Sequence, residues 1–150
     1  MKVVTLLPAD IYTVVNKTVL TNIDRDNLLS LYEPIIGVTA ISLYLTLWRD
    51  LGNVEILSRD YTHHHLMKRL KLDLNEIKLA RETLEAVGLI RTYIKCGEIN
   101  SYIYELYSPL SSHEFFNHPI FNIVLSLKAT AAPIAAGNCY YPRFRQVCKS

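Results

Sequence analysis

Three consecutive histidines, His63, His64 and His65, are the nearest thing in the chain to a metal-ligand cluster. Imidazoles hold an ion when they converge, which on a helix favours a spacing of four, because adjacent residues point about 100° apart. Three in a row therefore read as polar residues opening a helix, and His113 and His118 would join them only if the fold brought all of them close. The cysteines, Cys96, Cys139 and Cys148, make neither a C-x-x-C pair nor a disulfide framework, and fit a reduced compartment. Ser30, Ser42 and Ser58 lie in no nucleophile elbow. No Walker A loop or G-x-G-x-x-G cradle is present. Glu82 and Glu85, three apart on one helix, read as a solvated face. The expectation is no catalytic residue, no metal, no cofactor and no enzyme.

Charge is the next chemistry to weigh. The net +2 hides an asymmetry. Residues 129–150 hold Arg143, Arg145 and Lys149 and no acid, so the preceding residues carry −1. Near neutrality there is no strong electrostatic footprint for nucleic acid. The candidate contacts for weak, sequence-tolerant DNA binding are Lys68, Arg69 and Lys71, with Arg91 and Lys95 on the strands that follow. A solvated face is the plainer reading of the first three.

The elements that must position these groups follow from periodicity and punctuation. Residues 3–15 read as an extended or irregular packing segment around Pro8. Asp24 and Asp26 open a helix carrying Leu28, Leu29, Leu31 and Tyr32, expected to stop near Glu33 because Pro34 disfavours helix before it. A second helix over 37–50 places Val38, Ile41, Leu45 and Trp48 on one face, widened by Tyr44 and Leu47. Thr62 is a cap for a short helix over 63–71. Asp73 with Glu76 is a capping box for the next helix, which buries Leu74, Ile77, Ala80, Leu84 and Val87 and ends at Gly88. Trp48, Ile41, Leu45, Leu74, Ile77 and Leu84 are expected to form one buried seam.

Two β-prone runs, 89–95 and 100–107, flank a turn in which Gly97 is free to take positive φ. Alternation puts Tyr102 and Tyr104 on one face and Ile103 on the other. Ser111 with Glu114 opens a last helix that Pro119 interrupts, and 120–127 continue an apolar segment. Helices feeding a two-stranded hairpin make an α+β, mostly helical winged helix, and the helix over 73–87 holds the recognition position. That helix sums to −2, a poor match for a major groove. The domain is expected over residues 1–128. Residues 129–150 are an atypical tail, either foreign to the natural protein or ordered by an absent partner.

Ile11, Tyr12 and Val14 on one side, and Phe115, Phe116 and Phe121 on the other, flank this unit and are more apolar than its core requires. They are the candidate interface of a homodimer or tetramer; the alternative is that they fold back on their own domain. No apolar run reaches the roughly 18 residues that cross a bilayer, and the N-terminal apolar stretch is too short for a signal peptide, so a cytoplasmic protein is expected.

Four stretches, 7–16 (LPADIYTVVN), 31–44 (LYEPIIGVTAISLY), 62–67 (THHHLM) and 104–116 (YELYSPLSSHEFF), resemble the N-terminal domain of the DnaB/DnaD family of replication-initiation and membrane-attachment proteins in the Bacillus and Staphylococcus group. The resemblance covers about residues 5–127. It implies a self-associating winged-helix module of a helicase co-loader, acting in primosome assembly at the replication origin. It implies partners: a DnaD-type initiation protein, the replicative helicase with its loader ATPase, and the membrane at the origin. DNA binding would reside mainly in a second domain that is absent here.

Overall fold

The computed structural model describes residues 4–52, 56–121 and 123. The expectations for residues 124–150 lie outside these. The elements in chain order are β1 (Ile11–Asn16), α1 (Asn22–Asn27), a π-helical turn (Leu28–Tyr32), α2 (Glu33–Ile36), α3 (Val38–Asp50), β2 (Tyr61–Thr62), α4 (His63–Leu70), α5 (Leu74–Ala86), β3 (Ile90–Lys95), β4 (Ser101–Leu106) and α6 (Ser112–Asn117).

The hairpin forms as expected: β3 and β4 pair antiparallel, with Thr92 opposite Tyr104. The sheet is larger than the hairpin, however. Its order is β2-β1-β4-β3, and β1 runs parallel to β4 with Tyr12 beside Tyr102 and Val14 beside Tyr104. This register puts Tyr12, Val14, Tyr102, Tyr104 and Leu106 on the inner face with Ile90 and Ile94, all buried, while Ile103 faces out. Gly97 does not use its conformational freedom: the positive-φ glycines are Gly37, Gly52 and Gly88.

The first helical segment departs from expectation. It does not stop at Glu33 but runs on through Pro34 to Ile36, ending at Gly37 with φ +85°. Proline in a regular helix clashes with the carbonyl four residues back and lacks a donor. The preceding turn is widened, with the Glu33 N–H donating to the Leu28 carbonyl five residues back, and Pro34 falls in the first turn of α2, where a missing N–H costs least. Thr21, not an aspartate, caps α1; its hydroxyl and Asp24 form the reciprocal box. The boxes at Asp73–Glu76 and Ser111–Glu114 form as read. Thr62 precedes α4 without a side-chain cap.

Helix α3 is rotated relative to the expected face. Its buried apolar residues are Ala40, Ile41, Leu43, Tyr44 and Leu47; Val38 is exposed, and Leu45 and Trp48 are only half-buried, as is Leu74 on α5. The reason is that α3 is covered on several sides, by α5, α4, β1 and the π-helical turn, so its sealed face centres on Tyr44. Tyr44 donates to the Tyr107 carbonyl at 2.6 Å, tying α3 to the chain beyond the sheet.

Candidate functional site

The basic residues named for DNA contact divide between helix α4 and an edge strand of the sheet. Lys68 and Arg69 close α4, which follows edge strand β2, and Lys71 takes a left-handed φ of +57° just beyond; all three are exposed. Arg91 and Lys95 lie on β3, the other edge, with β1 and β4 between. Arg91 sits opposite Glu105 and over the Tyr107 ring at 5.2 Å, so part of its charge is engaged within the domain. The five thus lie on two separate elements, the end of α4 and strand β3.

The recognition position, α5, shows fewer charges outside than its sequence states. Arg81 is buried. Its guanidinium lies over the Tyr102 ring at 5.7 Å, and its Nε is 3.4 Å from a Glu85 carboxylate oxygen. Glu85 also accepts from the Thr92 hydroxyl on β3, so it belongs to this inner cluster and not to a solvated face. Exposed on α5 are Asp73, Glu76 and Glu82 against Lys78, together with Leu79, which is 62% exposed. Leu79 lines a cleft of about 280 Å³ with Ile35, Ile36, Val87, Ile120 and Phe121.

The interface expectation needs correction at three of its six residues. Tyr12 and Val14 are wholly buried in the domain's own core, because the parallel pairing with β4 turns them inward. Phe115 is buried too, stacked on Phe121 at 5.0 Å and edge-on to Tyr32 at 5.2 Å. Ile11 and Phe121 are half-buried, and Phe116 is exposed. The segments fold back on their own domain and leave Phe116, Ile120 and Ile123 at the surface.

The histidine run resolves into three different residues. His64 is exposed. His65 stacks on Tyr61 at 4.7 Å and lies 3.4 Å from Asp50. His63 is fully buried, with Nδ1 2.8 Å from the Asp10 carbonyl and Nε2 2.6 Å from the Tyr104 hydroxyl. A carbonyl only accepts, so Nδ1 carries the proton and Nε2 accepts from Tyr104. Burial holds the His63 pKa below its ordinary 6.5, and the nearby Arg81 charge adds to this, so the ring is neutral. Asp10, also buried, accepts from the Leu7 and Asn100 backbone N–H groups. Tyr12 donates to Asp50 at 2.7 Å, and burial beside that carboxylate pushes its pKa up. The cluster ties the N-terminal strand, the wing and helices α3, α4 and α5 together. Nothing in the run's spacing signalled His63; only its pairing with residues 10 and 104 distinguishes it. Among the described residues no group of three or more metal-ligating side chains forms.

A profile of the DnaB N-terminal winged helix domain matches residues 6–129. The replicative helicase loading/DNA remodeling protein DnaB of Staphylococcus aureus is 31% identical over 121 residues, covering 80% of this chain and 26% of that protein. The crystal structure of primosome protein DnaB, residues 1–300, from Geobacillus stearothermophilus superposes with a TM-score of 0.72 at 31% identity, over 97% of this chain and 58% of that one. The chain thus spans about a quarter of the curated relative.

Proposed function

The chain belongs to the DnaB N-terminal winged helix domain family, and from that premise we propose that it is the scaffold and self-association module of a replication-initiation protein that helps load the replicative helicase during primosome assembly. The observation that carries this reading is the outward side of α5. Where a DNA-reading winged helix presents cations and amides, this one presents Leu79 above an apolar cleft among carboxylates, and keeps Arg81 inside. Such a surface fits a protein and repels phosphate. The self-association surface is the cleft of Leu79, Ile120 and Phe121, continued by Phe116. The further partners are a DnaD-type initiation protein, the helicase with its loader ATPase, and, for the longer protein, the membrane at the origin. No helix among the described residues is long and apolar enough to cross a membrane. Sedimentation of the chain tests the reading. A dimer or tetramer is expected, shifted toward monomer by Leu79→Ser with Ile120→Ser; a monomer at high concentration rejects it.

The exposed cations at the end of α4 favour a second reading, a weak DNA contact through Lys68, Arg69 and Lys71. It requires binding to duplex or single strands that weakens steeply with salt and falls on Lys68→Ala and Lys71→Ala.

A further inference from the structure

We propose that the cleft between α1 and the end of α3 docks an acidic peptide segment of a partner protein that carries an apolar anchor residue. The cleft has a volume of about 770 Å³ and is lined by Arg25, Leu45, Trp48, Arg49 and Gly52. Its floor is apolar. Helix α3 seals Ile41, Leu43, Tyr44 and Leu47, yet leaves Leu45 and the chain's single tryptophan, Trp48, half-open toward this cleft. Its rim is cationic. Arg25 and Arg49 are exposed, and among the described residues no carboxylate lines the cleft and none pairs with either arginine. The Arg25 guanidinium is held 5.3 Å over the indole ring. Arg49 lies in the last turn of α3, where a cation is favoured, whereas Arg25 stands near the N-terminal end of the continuous helical segment 22–36, where it is not; neither position accounts for the open tryptophan beside them.

Two cations above an apolar floor complement carboxylates that flank one apolar side chain. Single-stranded nucleic acid fits less well. Base stacking needs an open aromatic face, whereas Arg25 covers the Trp48 ring and Tyr44 packs edge-on beside it. The main basic group, Lys68, Arg69 and Lys71, is on α4 and does not line this cleft.

Because Trp48 is the only tryptophan, its fluorescence reports this cleft directly. The full chain is titrated with three probes: a short synthetic peptide of aspartates and glutamates around a central leucine–phenylalanine pair, the same peptide with every carboxylate replaced by its amide, and an oligothymidylate. The acidic peptide alone is expected to give a saturable change that salt suppresses. Arg25→Gln or Arg49→Gln should weaken it on the order of tenfold, and Arg49→Lys should restore most of it. Equal binding of the amide peptide, a response to the oligothymidylate only, no response to any probe, or indifference to the arginine variants would each overturn the proposal. Unchanged urea stability of the variants, read alongside, excludes unfolding as the cause of a lost signal.

Discussion

Helix α5 has two sides, and they invert the usual pattern. Inward it sends a charge, Arg81, into a cluster with Tyr102, Tyr104, Glu85 and Thr92; outward it shows an apolar residue, Leu79, at the surface. The two positions are two residues apart and so roughly opposite on the helix. The inner side has committed its polar groups to the domain: His63, Tyr104 and Asp10 partner one another, although Arg81 keeps Nε and one terminal nitrogen without a hydrogen bond among the described residues. The outer side has an apolar cleft that no described residue fills. The contrast teaches that composition along a helix says little about its surface. The net −2 of the sequence persists at the surface, because Arg81 and Glu85 are withdrawn together, but Lys78 is left as its one exposed cation, beside an apolar Leu79.

Breaking the inner side should cost most. Tyr12→Ala removes a fully buried ring and its bond to Asp50, and is expected to lower stability by about 3–5 kcal/mol in urea denaturation. A loss below about 1 kcal/mol would mean that β1 is not part of the core. The pH dependence of the same side is a finer probe. His63 has a folded pKa below its ordinary 6.5, so the unfolded chain takes up the proton first, and stability present above that value is lost as pH falls through it toward the folded pKa. The stability gap between the wild type and His63→Gln should therefore narrow as pH falls from about 7 to about 5. A gap that widens on acidification would show that His63 is charged in the fold. The smallest effect belongs to the outer side. Leu79→Ser should leave stability at monomer concentrations within about 0.5 kcal/mol, as expected of an exposed residue with no structural duty. A larger loss would place Leu79 in the core and remove the contrast.

Much of the architecture is legible before folding. The capping boxes at Asp73–Glu76 and Ser111–Glu114, the glycine end of α5 and the inward Tyr102 and Tyr104 all follow from patterns spanning a few residues. Strand β1 was legible only as an extended stretch. Its place between β2 and β4 depends on parallel pairing with residues some ninety positions on, which no local spacing encodes. The same pairing explains why Tyr12 and Val14 read as surplus apolar surface when the sheet was counted as two strands. Pro34 misled for a related reason: the widened turn that tolerates it is a property of the packed helix, not of the proline.

By itself, then, the sequence determined most of the helices, the hairpin and the near-neutral charge of residues 1–128. These rest on nearest-neighbour geometry and on composition, which survive any arrangement of the chain. Only the tertiary structure decided which of three adjacent histidines is buried, that Arg81 leaves the surface, that Trp48 stays half-open between two arginines, and that Phe115 is core while Phe116 is not. Adjacent residues on a helix are chemically alike in sequence and point about 100° apart in space. Which of them meets the sheet is set by the docking of elements far apart along the chain, and that docking separates residues left at the surface from residues held in the core.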